Sequence, residues 1–326
     1  MLIFRNYRNL PDEARGAVAA IGNFDGVHLG HRAVIDAARR VAAAHGAKPA
    51  VLTFEPHPRR LFRPQDPPFR LTPFRAKATV LKAMNVELML ALRFDRQFAA
   101  IGAEAFVSDV LVRGLSLRHV VCGPDFMFGH NRAGDAAMLQ RVGFEHGLGV
   151  SVIDPVREKD LIYSSSAIRK LLQLGDPRGA ARLMGRPFEV SGRVRRGDQL
   201  GRKLGFPTAN VDHRSYLAPA QGVYAVHAAV AAAPERWLGG VANFGMRPTV
   251  DGLRLLLEVH LFDFAGDLYG KRLCVRLIEY LRPERRFDGL DALKAQIAED
   301  ARQARRILAR TQETPHGAAA AKALAS

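Results

Sequence analysis

The chain has 326 residues, 48% of them hydrophobic, a length that suits two domains with sizeable cores better than one. Its 48 Lys and Arg against 32 Asp and Glu give a net charge of +16, which favours an anionic partner without choosing between nucleotide, nucleic acid, lipid headgroup and a merely basic surface. Two cysteines, Cys122 and Cys274, argue against a disulfide framework or a zinc cluster. With no signal-peptide core in Met1–Tyr7 and no run near the roughly 20 apolar residues of a membrane span, a soluble cytoplasmic protein is expected.

The first informative stretch is Gly22-Asn23-Phe24-Asp25-Gly26-Val27-His28-Leu29-Gly30-His31. Ala17 to Ile21 before it reads as a short buried strand. After it Val34, Ile35, Ala38, Val41 and Ala42 repeat at helical spacing, with Arg32, Asp36, Arg39 and Arg40 on the other side. The stretch is therefore a strand-to-helix turn. Gly22, Gly26 and Gly30 let the backbone bend tightly and approach a ligand, and His28 and His31 lie at the helix entry, beside free N–H groups and the positive end of the dipole. Such a place suits a triphosphate, although a lone Gly-rich turn with ordinary surface histidines has the same look.

The pattern then alternates. Val51 to Phe54, Leu88 to Leu92, His119 to Cys122 and Val150 to Ile153 read as strands, and Phe74 to Met84, Ala103 to Val112 and Asp135 to His146 as helices. This rhythm predicts a parallel α/β sheet with helices on both faces and ligands at the carboxyl ends of its strands. Glu55-Pro56-His57-Pro58 and the basic stretch Arg59 to Arg70 form either a surface loop or a substrate-binding loop. Gly123 to Asp135, with Asp125, Phe126 and Phe128, forms either a pocket for a planar ring and a phosphate or a turn with core aromatics. Ser164, Ser165 and Ser166 open a helix carrying Arg169 one turn on; they are either N-caps or a phosphate clasp.

Near Gly175 to Pro187 the helical period gives way to short alternating segments, Phe188 to Val194, Gly222 to Val230, Trp237 to Asn243, Leu253 to Phe262 and Leu273 to Leu281. An antiparallel barrel is the economical architecture. A covering helix follows, with Leu290, Leu293, Ile297, Ala301, Ala304 and Leu308 on one face and Asp288 as its cap. The expected domains are residues 1–180 and 186–310, with an Ala-rich tail over 311–326. Gly192 to Asn210 mixes glycines, among them Gly197, Gly201 and Gly205, with basic residues. It reads as an anion-binding loop or a basic hairpin for RNA, and Thr208 and Asn210 offer neutral oxygens for a cation such as Mg²⁺. Glu258, alone in the apolar run Leu255 to Leu261, is either a solvated strand residue or an acceptor for a hydroxyl proton.

As a set these segments resemble the prokaryotic bifunctional riboflavin kinase/FAD synthetase family over residues 1 to about 308. The Gly22 to His31 stretch looks like its His-x-Gly-His signature, Ser164-Ser165-Ser166 with Arg169 like its second nucleotide motif, and Gly205-Phe206-Pro207-Thr208-Ala209-Asn210 like its kinase signature. Asn243 to Thr249, with Arg247, then Glu258 with His260, continue the match in order; Tyr163 departs from it, standing where the family usually has an aliphatic residue.

The resemblance implies a Rossmann-like nucleotidyltransferase domain followed by a kinase barrel, acting on riboflavin, FMN and ATP, with Mg²⁺ accompanying ATP. Glu258 would be the general base, Thr208 and Asn210 would hold Mg²⁺–ATP, and Gly197, Gly201, Gly205 and Pro207 would lie over its phosphates. His28 and His31 would stabilise the transferring phosphate of the second reaction, within a nucleotide turn that includes Gly22, Phe24, Asp25, Gly26 and Gly30. Ser164, Ser165, Ser166 and Arg169 would hold pyrophosphate, and Asp125, Phe126, Phe128, Asn243 and Arg247 would contact flavin. Small molecules are then the partners, with neither nucleic acid nor membrane expected, and an oligomer is left open.

Overall fold

The structure is a computed structural model and describes residues 1–158, 161–197, 201, 205–233, 235–249 and 252–312. The chain divides into two compact units, the first of Met1–Pro67 and Thr72–Ser164, the second of Pro68–Leu71 and the chain from Ser165 onward.

The first unit is built on six strands: β1 (Leu2–Phe4), β2 (Val18–Ile21), β3 (Pro49–Glu55), β4 (Leu88–Arg93), β5 (His119–Cys122) and β6 (Gly149–Val152). They pair in the order β1-β4-β3-β2-β5-β6, every pairing parallel. Continuous apolar runs such as Val-Ala-Ala-Ile in β2, buried at all four positions, are what a sheet covered on both faces requires. One face packs Ala19, Leu52 and Leu90 against Phe106, Val110 and Leu139. The other packs Ala20, Val51 and Met89 against α1 (Leu29–Ala44) and α2 (Phe74–Ala83) through Ile35, Ala38 and Leu81. After β2 the chain adds β3 and β4 on one side, then returns to place β5 on the other. The switch point therefore lies between the carboxyl ends of β2 and β5, where Gly22 to His31 and Gly123 to Asp135 emerge.

Three local readings change. Strand β1 pairs only with β4 and was not anticipated, because Leu2 and Ile3 are exposed and three residues show no period. The helix expected over 103–112 is a single α-turn, Ala103–Ala105, continued by a π-helical stretch to Gly114, in which Leu115 N–H reaches the Val110 carbonyl at 2.9 Å. Arg32 does not simply face solvent: its Nε is buried, and burial pushes its pKa down. In α3 (Ala136–Glu145) the Asp135 carboxylate caps the helix, accepting the Met138 N–H at 2.8 Å. A short hairpin, β7 (Arg157–Glu158) with β8 (Leu161–Ile162), follows β6.

The second unit starts with α4 (Ser165–Gln173) and α5 (Pro177–Met184) and continues as a closed antiparallel barrel. Its strands are β9 (Phe188–Arg195), β10 (Ala209–Val211), β11 (Gly222–Val230), β12 (Leu238–Thr249), β13 (Gly252–Leu261) and β14 (Arg272–Arg282), closed in the order β10-β13-β12-β11-β14-β9. Three-residue β10 was not foreseen inside its Gly- and Arg-rich surroundings. The last helix, α6 (Leu290–Gln312), lays Ala304 and Leu308 on Ala225, Val241, Phe262 and Ile278 of the barrel's outer face. Leu290, assigned to that seam from its spacing, is instead 59% exposed, because it sits at the helix's first residue, before the seam reaches the barrel. Residues 313–326, most of the expected tail, lie outside the described residues.

One buried ion pair ties α6 to β14. Arg282 meets Asp300 through Nε–Oδ1 at 2.9 Å and Nη2–Oδ2 at 2.7 Å, and Gln296 Nε2 donates to Asp300 Oδ1 at 2.7 Å. Removing one partner of such a pair leaves the other charge buried and alone. Asp300→Ala is therefore expected to lower the stability of the barrel unit by about 3–5 kcal/mol in denaturant melts; a loss below about 1 kcal/mol would show that solvent screens the pair.

Candidate active sites

In the first unit the turn after β2 holds three residues in the left-handed region, Phe24 (φ 47°), Gly26 (φ 90°) and Val27 (φ 42°). For Phe and Val this is strained, and the surroundings must impose it. Two braces do so. Asp25, 1% exposed, accepts the Thr72 N–H at 3.0 Å while Gly26 N–H donates to Thr72 Oγ1 at 2.8 Å. Beneath, the fully buried Lys77 donates from Nζ to the Asn23 carbonyl at 2.6 Å and to Thr53 Oγ1 at 3.1 Å, and Thr53 Oγ1 itself donates to Asn23 O at 3.1 Å.

The braced turn delivers His28 to the start of α1, where its Nδ1 caps the helix by accepting the His31 N–H at 3.3 Å, so Nε2 carries the ring proton. The two imidazoles stack with centroids 3.6 Å apart, and Phe24 meets His31 edge-on at 5.1 Å. Gly30 lets a neighbour in close: a Cβ there would stand 3.2 Å from both the His28 ring and the Tyr163 carbonyl. Tyr163, and with it half-buried Ser164, is thereby carried to the histidines. Across the switch point, Asp125 is exposed, while Phe126 and Phe128 stack at 5.6 Å, with Phe128 in the core against Phe106.

In the second unit, Ser165 opens α4, Ser166 is exposed, and Arg169 donates from Nε to the Phe69 carbonyl at 2.9 Å with its guanidinium over the Phe69 ring.

The barrel's outer face carries a cavity of about 610 Å³. Its floor is a single rung. Arg195 of β9 pairs with Asn210 of β10, Asn210 with Glu258 of β13, and Glu258 with Asn243 of β12, and all four line the cavity. Directly opposed residues of antiparallel strands share a face, so separations of 15 to 48 residues in sequence collapse into one row. Phe206, Thr208 and His260 line the same space; His260 Nδ1 donates to the Pro207 carbonyl at 2.9 Å, fixing the exposed Pro207 beside it. Gly197 and Gly201 line it too, and Gly205 is exposed. Residues 198–200 and 202–204 of the expected anion loop lie outside the described residues, and of Arg247 the structure describes only a backbone position on β12, opposite Arg254.

Sequence reasoning missed several residues that shape these places. Thr72, Thr53 and Lys77 are remote polar residues whose burial gave no local sign. Glu284, Arg285 and Phe287 follow β14 and line the cavity, yet look like a surface turn in sequence. Asp212 gathers Arg214, at 2.8 and 2.6 Å, and Arg195, at 2.8 Å, so hydrogen bonds from Arg214 first and Arg195 second hold its carboxyl well below the usual carboxylate range.

An α/β unit with a His-x-Gly-His turn at its switch point, followed by an antiparallel barrel with a carboxylate between two amides, defines a two-unit nucleotide-dependent transferase. Residues 10–167 match the FAD synthetase family and residues 184–308 the riboflavin kinase family. The chain is 44% identical over 313 residues to the bifunctional riboflavin kinase/FMN adenylyltransferase of Escherichia coli (strain K12), covering 96% of this chain and 99% of that one. It is 43% identical over 310 residues to that of Pseudomonas fluorescens, covering 95% and 98%. A crystal structure described as a macrolide-efflux protein from Streptococcus pneumoniae shares the fold, with a TM-score of 0.81 at 29% identity, covering 92% of this chain and 96% of that one. Among the described residues no helix is long and apolar enough to cross a membrane. The chain belongs to the bifunctional riboflavin kinase/FMN adenylyltransferase family.

The Asp212 cluster yields a pH test. A depressed folded-state pKa stabilises fully above the unfolded value near 4 and progressively less below it. Asp212→Asn is expected to cost at most about 1 kcal/mol at neutral pH, since both arginines are more than half exposed, and the gap to the parent should close as pH falls below about 4. A gap that persists undiminished to pH 2 would show that the carboxylate charge is not its source.

Proposed function

We propose a division of labour for the two activities of this bifunctional enzyme, phosphorylation of riboflavin to FMN by ATP and adenylylation of FMN to FAD by a second ATP. The observation that carries the reading is the rung Asn210–Glu258–Asn243 on the floor of the barrel cavity. Riboflavin's terminal ribityl hydroxyl loses its proton to Glu258 as its oxygen attacks the γ-phosphorus, and ADP leaves. Thr208 and Asn210 are the ligands assigned to Mg²⁺. The residues fit such an ion: Asn210 Oδ1 is buried and meets no donor among the described residues, and two neutral oxygens suit a hard cation that keeps waters and phosphate oxygens for its other positions. Bound there, Mg²⁺ would neutralise charge on the triphosphate. Gly197, Gly201, Gly205 and Pro207 are assigned to the phosphates, and Asn243 and Arg247 to flavin.

In the first unit an oxygen of the FMN phosphate attacks the α-phosphorus of ATP and pyrophosphate leaves. No covalent enzyme intermediate is needed, so the catalytic task is positioning and charge stabilisation. His28 and His31, held at the α1 N-terminus by the braced turn through Gly22, Phe24, Asp25, Gly26 and Gly30, supply both. Asp125, Phe126 and Phe128 are assigned to flavin, Phe126 being the half-exposed member of the stacked pair. Ser164, Ser165, Ser166 and Arg169 are assigned to phosphate binding.

Incubation with riboflavin, ATP and Mg²⁺, resolving FMN and FAD by chromatography, tests the division. His28→Ala should accumulate FMN while FAD formation falls about 10²–10³-fold. Glu258→Gln should lower FMN formation by about 10²–10⁴-fold and leave FAD formation from supplied FMN intact. Loss of FMN formation from riboflavin in His28→Ala, or of FAD formation from supplied FMN in Glu258→Gln, would contradict separate sites.

A further inference from the structure

Asn243 stands opposite Glu258 on the cavity rung, and its amide is not free to turn. Nδ2 donates to Glu284 Oε1 at 3.0 Å, and a carboxylate only accepts, so the NH₂ end is committed and the oxygen end is the one presented elsewhere. That oxygen, Oδ1, is buried and meets no donor among the described residues. Glu284 reaches Asn243 through a gap in β12: at Gly245, two residues further along the same face, a Cβ would collide with the Glu284 carboxylate. Asn243 and Glu284 both line the 610 Å³ cavity. An apolar or purely accepting ligand would leave Oδ1 unsatisfied; a hydroxyl would not.

We infer that Glu284 is a positioning residue of the kinase site, which by holding Asn243 Nδ2 over Gly245 aims Asn243 Oδ1 at the substrate, where it accepts a hydrogen bond from a ribityl hydroxyl of riboflavin. The inference rests on the kinase reading of the cavity. The contact selects a hydroxylated side chain and adds binding energy next to Glu258, one strand away. Asn243 Oδ1 binds substrate and transition state alike, so its loss should appear in KM rather than kcat.

The test uses the full chain and steady-state FMN formation. Glu284→Ala should raise the riboflavin KM about 10-fold or more with kcat changed less than about 3-fold, while Glu284→Gln, whose amide oxygen still accepts, stays within about 3-fold of the parent. Asn243→Ala combined with Glu284→Ala should be no worse than Asn243→Ala alone, because the two act as one unit. Gly245→Ala, which keeps both residues but pushes the Glu284 carboxylate away from Asn243, should reproduce the KM rise. Thermal melting of each variant separates these effects from misfolding. An unchanged KM in Glu284→Ala, a Glu284→Gln variant as impaired as Glu284→Ala, or independent effects in the double variant would overturn the inference. Should Glu258→Gln retain full FMN formation, the kinase reading itself fails; normal KM values in Glu284→Ala beside an inactive Glu258→Gln sink the positioning role alone.

Discussion

Register between neighbouring antiparallel strands is the constraint on which the barrel site depends. Side chains alternate with period two, so a slip of one residue in β13 would turn Glu258 into the barrel and Leu257 or Val259 out to the cavity. The apolar alternates prevent it. Leu257 and Val259 of β13, Ala209 and Val211 of β10, and Ala242 and Phe244 of β12 are all buried, and none of these strands can shift without exposing its pair. The residues that hold the row are thus different from those that use it, which frees Asn210, Glu258 and Asn243 to be polar.

The nucleotidyltransferase unit solves its positioning problem differently. Its turn is a single irregular segment with no ladder to fix it, and the positive φ angles at Phe24 and Val27 must be enforced from outside. Thr72 grips both Asp25 and Gly26 from one side, and Lys77 with Thr53 grips Asn23 from beneath. A fully buried lysine is rare because its ammonium must be hydrogen-bonded there, and here one acceptor is the Asn23 carbonyl of the turn and the other is Thr53 Oγ1, which itself donates to that carbonyl. The result is a rigid cradle, and charge stabilisation that needs no reorganisation at the moment of reaction is the most effective kind.

How far the sequence revealed this follows from the range of each signal. The parallel sheet was legible because runs such as Val-Ala-Ala-Ile are long, apolar and bounded by glycines, whereas β1 and β10 are three residues each and carry no period. Within the sites, His28 and His31 stood out because their signal is local: a strand, glycines and a helix within a few residues. Glu258 stood out as a lone acid among leucines. The braces did not, since Thr72 and Lys77 matter through contacts 24 to 54 residues away. Glu284 was hidden for the same reason: an acid in an Arg-Pro-Glu-Arg exit from a strand looks solvated until β12 is folded beside it with a glycine in the right place.

The charge of the barrel site shows why amides, rather than more acids, flank Glu258. Arg195 and Arg214 are held by Asp212, Arg282 by Asp300, and Arg196 lies over the Tyr269 ring, so much of the basic surface around the cavity is fixed in place by neighbouring groups. On the proposed reading, a triphosphate entering this setting would bring its own negative charge and its own cation. Carboxylates at positions 210 and 243 would compete with the phosphates for that cation and repel them, while neutral amide oxygens can ligate or accept without doing either. On the proposed reading of the cavity, one carboxylate between two amides is the arrangement in which Glu258 would take a hydroxyl proton beside ATP and still leave the cation's charge to the phosphates.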